Sequence, residues 1–177
     1  MSQVVPPLSP ARVELIASWP SVMKPWSLPK AAAKVHALLI SSETGLSAEE
    51  IVAHLELSTG SVSAQLQLLV DAGLIDRLKI LGKRKKLFRA TRDPARIFTA
   101  LAQLRRSAMH ASMEQLGESL ASIADQDDAP WLTAVSHMQA LSRMMDDWLR
   151  VCSVCDPEWT VRWIQKGVSM NASFLND

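Results

Sequence analysis

The apolar and polar positions in the first part of the chain predict two short helices. An apolar run from Val13 to Trp19 follows Pro10 and has helical spacing. We expect this helix to end at Pro20, because proline lacks the amide hydrogen that a helix interior uses. After a proline-rich break at 24–29, small and apolar residues recur at helical spacing over 31–40 and predict a second helix.

Helix-capping residues predict the next two elements. Ser47 stands three residues before Glu50, which is the spacing of a capping box, and the short helix that it starts can hardly pass Leu57. Ser58 can cap a further helix, and Gly73 follows the end of that helix, where a left-handed conformation is common. The predicted core positions of this helix are Val62, Leu66, Leu69 and Val70.

The pattern then changes its period from helix to strand. Residues 74–81 mix apolar and charged side chains, Gly82 marks a turn, and residues 86–91 can return as a second strand with Leu87 and Phe88 at its centre. Three short helices followed by a hairpin with a basic tip are typical of a winged helix-turn-helix.

Longer helices follow the hairpin. Asp93 and Pro94 supply a cap and a first-turn proline for a helix of about 30 residues. A loop at 125–130 leads to another helix, and a last helix opens at Asp156. The apolar face of the helix after the loop consists of Ala134, Met138, Leu141, Met145, Trp148 and Cys152.

The element order predicts a mainly α fold. It is a winged helix-turn-helix with a two-stranded β-hairpin wing plus long N- and C-terminal dimerisation helices. We expect an N-terminal helix and linker at 1–27 that act as a dimer arm, the winged domain at 28–92, and a helical dimerisation and effector region at 93–177. The long helices carry more apolar surface than one small domain covers, which indicates a homodimer; the alternative is an intramolecular bundle.

Composition excludes several classes of protein. The 177 residues are 48% hydrophobic and 21% charged, so disordered, collagen-like and disulfide-scaffold classes are excluded. No stretch approaches the roughly 20 apolar residues of a membrane span, and residues 1–10 lack the basic and apolar regions of a signal peptide. We therefore expect a soluble, cytoplasmic protein without a membrane partner.

The charges are distributed unevenly along the chain. Lysine and arginine number 19 against 18 aspartates and glutamates, yet residues 77–106 hold eleven basic residues and one acidic residue, Asp93. Residues 1–76 carry a net charge of −3, and residues 107–177 carry −6. A basic block at the hairpin indicates an acidic partner, and double-stranded DNA is the partner that suits a winged helix-turn-helix.

The residues expected to contact the duplex lie in the helix after Ser58 and in the hairpin. That helix would enter the major groove, where glutamine can bind adenine and hydroxyls can bind phosphates or bases. The basic wing would lie on the minor groove or backbone, with Arg84 expected to insert. The predicted contacts are Thr59, Gly60, Ser61, Ser63, Ala64, Gln65 and Gln67 in the helix and Lys83, Arg84, Lys85 and Lys86 in the wing. The alternative is a winged-helix protein-interaction module without sequence-specific DNA binding.

Several short motifs resemble the GbsR branch of the MarR-like winged helix-turn-helix transcriptional regulators. They are Pro25-Trp26-Ser27 with 31–39, then 46–51, 57–63 and 73–75, and finally 82–85 with Phe88. The resemblance implies a homodimeric regulator that binds a palindromic operator and usually represses. Relatives in this branch are linked to choline and betaine control, which implies a possible small-molecule effector.

Tryptophan and cysteine residues near the C-terminus suggest two further sites. Trp148, Trp159 and Trp163 could form an aromatic cage for a quaternary ammonium effector, although tryptophan at helical spacing is more often core or interface. Cys152 and Cys155 form a C-x-x-C motif that suits a redox pair or a metal clip, although packing is the ordinary role of a cysteine on an apolar helix face.

The chain lacks the common signatures of enzymes. It has no nucleophile elbow, no phosphate-binding loop and no zinc-protease motif. A zinc site would need two ligands besides the cysteines, and the four histidines show no paired spacing. We therefore expect no enzyme activity, no cofactor and no metal.

Overall fold

The computed structural model describes residues 6–79, 86–121 and 131–154, and Arg162. The elements are α1 Pro10–Met23, a 3₁₀ turn Lys24–Trp26, α2 Lys30–Ile40, α3 Ala48–Leu55, α4 Thr59–Asp71, β1 Ile75–Lys79, β2 Lys86–Ala90, α5 Pro94–Ala121 and α6 Trp131–Val154. The chain divides into two compact units, Met1–Ala100 and Leu101–Asp177. The loop predicted at 125–130 and the last helix predicted from Asp156 lie outside the described residues. No helix in the described ranges is long and apolar enough to cross a membrane.

Helix α2 forms the centre of the first unit. Helices α1, α3 and α4 and strand β2 all pack against it. Its small and branched apolar side chains allow close contact on several sides at once, which is the main source of stability in a unit of this size. The buried residues of α2 are Ala32, Ala33, Val35, His36, Ala37, Leu38 and Leu39.

Helix α1 continues through Pro20 to Met23, so the prediction that it ends at Pro20 is wrong. Proline in a helix interior removes one backbone hydrogen bond and costs about 3 kcal/mol. Tertiary packing offsets this, because Ile16 and Met23 on either side of the proline are buried and α1 lies against α2. The guanidinium of Arg12 also donates to the hydroxyls of Ser41 and Ser42, at 3.2 and 2.9 Å.

The predicted helix caps are confirmed. The Ser47 hydroxyl accepts a hydrogen bond from the amide of Glu50 at 3.3 Å, and the Glu50 carboxylate accepts from the amide of Ser47 at 2.8 Å. The Ser58 hydroxyl accepts from the amide of Ser61 at 3.2 Å at the start of α4. Gly73 follows the end of α4 with φ of 76°, the left-handed conformation expected there.

Strands β1 and β2 form an antiparallel hairpin in which Arg77 lies opposite Phe88. Leu46 adds a second, one-residue pairing to β2: its amide donates to the carbonyl of Phe88 at 2.9 Å, and its carbonyl accepts from the amide of Phe88 at 2.7 Å. A β-carbon at Gly45 would lie 3.1 Å from Cβ of Leu87, so this approach favours glycine. The three helices and the hairpin therefore have the predicted order.

The second unit contains most of α5 and all of α6. The 28-residue α5 confirms the long helix predicted after Asp93, whose carboxylate accepts from the amides of Ala95 and Arg96 at 2.9 and 3.4 Å. On α6 four residues of the predicted apolar face are exposed, whereas Leu149 is buried. The exposed members of that face are Met138, Leu141, Met145 and Trp148.

His36 is a fully buried ionisable residue in α2. Trp19 Nε1 donates a hydrogen bond to Nδ1 of His36 at 3.3 Å, so the proton of the neutral ring must be on Nε2. Within the part of the chain that the structure describes, Nε2 is buried without a hydrogen-bond partner. Burial lowers the pKa of His36 from 6.5 to about 4.

We predict that His36 makes stability depend on pH between 6.5 and about 4. In this range the unfolded chain protonates His36 and the folded chain does not, so the free energy of unfolding falls as the pH falls. Above pH 6.5 His36 is neutral in both the folded and the unfolded chain, and below about pH 4 it is protonated in both. A pKa difference of this size corresponds to roughly 3 kcal/mol over the whole range.

His36→Asn is the matched variant, since its side-chain oxygen can still accept from Trp19 but does not titrate. Urea unfolding of both proteins from neutral pH to about pH 4 should show a shallower decline for the variant. Equal declines would contradict the prediction.

Candidate nucleic-acid interface

Helix α4 presents a polar face to solvent. Its apolar residues Val62, Leu66 and Leu69 are buried, and the helix packs against α2 and α3 through that side. The helical period places the predicted DNA contacts on the remaining surface. Thr59, Gly60, Ser63, Ala64 and Gln67 are exposed, and Ser61 and Gln65 are partly buried. The structure therefore brings together the helix residues that the sequence predicts.

The N-terminal turn of α4 is open to an approaching ligand. A β-carbon built on Gly60 would have no atom within 4 Å. The first amides of a helix point outward and carry partial positive charge, which favours a phosphate. Ser58 uses one of these amides, that of Ser61, as its capping partner. The turn is thus both sterically and electrostatically suited to a nucleic-acid backbone.

Arg77 joins the hairpin to α4, and the sequence prediction did not include it. Its Nη2 donates to Oε1 of Gln67 at 3.0 Å, and its guanidinium carbon lies 5.8 Å from the centre of the Phe88 ring. Directly opposed residues in an antiparallel pair lie on the same face, so this face of the hairpin looks toward α4. The sequence indicates a role for Arg77 only through its position as the first residue of the basic block at 77–106.

The tip of the wing lies outside the described residues. This applies to Lys83, Arg84 and Lys85, so their predicted contacts with DNA remain predictions. Lys86 is described, and it is an exposed residue at the start of β2. Lys86 lies two residues before Phe88 on β2, and side chains two residues apart on a strand lie on the same face. Lys86 therefore shares the hairpin face that looks toward α4.

The other described arginines of the hairpin region lie among carboxylates. Arg89 is opposite Asp76 and so occupies the other face of the hairpin. Arg96 forms a 3.3 Å ion pair with Asp76, and Arg92 donates to the carbonyl of Ser42 at 3.0 Å. A cavity of about 320 Å³ is lined by Glu43, Asp76, Arg89, Ala90, Thr91, Arg92, Asp93 and Arg96. The described basic residues of the hairpin are therefore divided between two faces, and three arginines of the basic block lie beside three carboxylates.

The second unit contains a cavity of about 420 Å³ formed by α5 and α6. It is lined by His110, Met113, Glu114, Gln139, Ser142, Arg143 and Asp146. Trp148 is not among these residues, although it is half exposed on α6. Trp159, Trp163 and Cys155 lie outside the described residues, and Cys152 is placed in α6 by its backbone. The described ranges contain no cluster of three potential metal ligands.

Comparison with known proteins agrees with this geometry. Residues 35–84, from within α2 to the wing, match the family model described as MarR family. A solved structure of a protein described as a transcriptional regulator is similar over 88% of this chain and 99% of that chain, with a TM-score of 0.58 and 22% sequence identity. No curated protein sequence matches the chain. The predicted fold class is confirmed: the described residues are mainly helical, and three helices followed by a two-stranded antiparallel hairpin fit a winged helix-turn-helix domain.

The exposed face of α4 predicts a charge-specific effect of substitution at Ala64. Ala64→Glu adds a carboxylate to the exposed side of α4, where the negative potential of a duplex would repel it, while the core side of α4 is untouched. We expect a loss in duplex affinity of roughly 1 to 3 kcal/mol. Ala64→Gln is the control of similar size without charge and should bind much more tightly than the glutamate variant. Fluorescence anisotropy with a labelled duplex measures both, and equal affinities would contradict the prediction.

Proposed function

We propose that this chain is a sequence-specific DNA-binding transcription regulator, a homodimeric repressor of the GbsR branch that binds a palindromic operator. The observation that carries the proposal is the exposed polar face of α4 beside a basic hairpin. The family match over 35–84 and the fold similarity to a protein described as a transcriptional regulator support the same class. The motif resemblance at Pro25 to Ser27 and at the wing supports the branch.

In the proposed complex, α4 is the recognition helix and lies in the major groove. Thr59 and Gly60 would face a phosphate at the first turn, and Ser63, Ala64 and Gln65 would face base edges. The wing would follow the backbone or enter the adjacent minor groove, where Arg84 is the residue best suited to bind.

The dimer is proposed from the exposed apolar face of α6. Six apolar side chains on this helix have between 45% and 69% of their surface exposed: Met138, Leu141, Met144, Met145, Trp148 and Val151. An apolar stripe of this kind in water is typical of an interaction surface. A second copy would cover it and would supply the second winged domain that a two-fold operator needs. Trp148 is then a dimer contact and not part of an effector cage.

DNA binding by this interface should depend strongly on salt. Each phosphate contact adds about −0.9 to the slope of log affinity against log salt concentration for duplex DNA. Titration of a short duplex at several salt concentrations, together with selection of bound duplexes from a random pool, tests both affinity and sequence preference. If no duplex is retained at low salt, the chain is a protein-interaction module instead.

The dimer proposal predicts a defined change in mass. Light scattering should give twice the chain mass of 19.5 kDa for the wild-type protein at micromolar concentration. Leu141→Glu puts a charge into the apolar face of α6 and should give a monomer with weakened operator binding. Ser136→Glu, an exposed position on the opposite side of α6, should remain dimeric. A wild-type monomer would contradict the proposed dimer.

A further inference from the structure

The side-chain amide of Gln67 is bound at both ends. Its Nε2 donates to the carboxylate of Asp71 one helical turn later, at 2.7 Å. Its Oε1 accepts from Nη2 of Arg77 on β1, at 3.0 Å. The three side chains form a chain of hydrogen bonds from a carboxylate to a guanidinium. Such a chain polarises each bond and holds the amide in one orientation.

Among the described residues, Arg77 keeps most of its hydrogen-bonding capacity free. A guanidinium carries five N–H donors, and only one of them is used in the bond to Gln67. Its side chain is exposed, and no ion pair joins it to a carboxylate in the described ranges. The ring of Phe88, 5.8 Å from the guanidinium, supports the group from the hairpin side. The charge is therefore held in place without being neutralised.

The position of Arg77 is between the two elements proposed to enter DNA grooves. It lies on the hairpin face that looks toward α4, and its partner Gln67 is on the exposed surface of that helix. A sugar-phosphate strand separates a major groove from the adjacent minor groove. A duplex that accepts α4 in one groove and the wing in the next would have this strand beside Arg77.

We propose that Arg77 binds a DNA phosphate at the border between the recognition helix and the wing. Gln67 is then a positioning residue that aims Arg77 and is not a base-reading residue. This inference rests on the proposed DNA binding and assigns a different role to Gln67 from the one that the sequence predicts.

The charge of Arg77 is tested against that of Arg89. Arg77→Gln and Arg89→Gln remove the same charge from two exposed positions on opposite faces of one hairpin. With a short duplex of mixed sequence, Arg77→Gln should weaken binding about fivefold and reduce the salt slope by about 0.9, which is one phosphate. Arg89→Gln should leave the slope unchanged. Equal slopes for wild type and Arg77→Gln would overturn the inference.

A loss of packing on Phe88 is distinguished from a loss of charge by Arg77→Lys. Lysine keeps the charge but cannot keep the planar stacking and the guanidinium bond to Gln67. We expect this variant to retain the wild-type salt slope while binding more weakly. If the salt slope of Arg77→Lys is as low as that of Arg77→Gln, the change in slope comes from disturbed packing and not from the lost charge. That result would also overturn the inference. Thermal melting of each variant accompanies the titrations.

The role of Gln67 is tested with Gln67→Leu alone and combined with Arg77→Gln. A positioning role predicts that Gln67→Leu binds all duplexes about threefold more weakly and selects the same preferred sequence from a random pool. It also predicts that the double variant binds no more weakly than Arg77→Gln alone. A base-reading role predicts relaxed preference at one position of the half-site and losses that add to those of Arg77→Gln. The second pattern would overturn the inference while leaving the proposed DNA binding intact. A wild-type chain that retains no duplex at low salt would remove both.

Discussion

The winged domain depends on the burial of one helix, α2, by neighbours on several sides. Helix α1, helix α4 and strand β2 all pack against it, and the segment from Ala32 to Leu39 is buried almost without interruption. Close packing of this kind leaves little freedom for the surrounding elements, because moving any one of them would open a cavity. The surface that we assign to DNA is thus the outer side of elements whose inner sides are fixed on α2. The same burial isolates His36 from water, which is why the pKa of this histidine falls.

The recognition helix and the wing are joined by side chains as well as by the core. Gln67 and Arg77 connect the exposed side of α4 to β1, while Leu46 pairs with Phe88 on the other strand. In the proposed complex a duplex contacts both elements at once, so the distance between them would decide whether both can bind. The hydrogen bonds of Gln67 to Arg77 and Asp71 lie on the proposed binding surface itself. They are the reason that a polar residue on that surface can serve the geometry of the site rather than the reading of bases.

Charge along the sequence and charge in space differ in this protein. Residues 77–106 form one basic block in the sequence, but the described basic residues of the hairpin lie on two different faces. Arg77 and Lys86 share the face that looks toward α4, whereas Arg89 and Arg96 lie with carboxylates on the other side. The field at the proposed interface therefore comes from fewer residues than the count suggests, together with the N-terminus of α4.

Local patterns were sufficient to predict most of the elements. The capping box at Ser47, the cap at Ser58, the left-handed Gly73 and the start of α5 at Asp93 are short-range interactions, and each was found where the sequence placed it. The fold class followed from their order. The helix end predicted at Pro20 is wrong because the energy that keeps α1 intact comes from packing on α2, which no local pattern encodes.

Tertiary structure alone decided three features of the proposed interaction surfaces. It paired Arg77 with Gln67 across ten residues of chain, it separated Arg77 from Arg89, and it left the apolar face of α6 exposed while burying Leu149. Spacing in a sequence predicts which side chains share a face of one helix or strand. It does not predict which face of another element lies opposite, because that depends on the packing of all elements together.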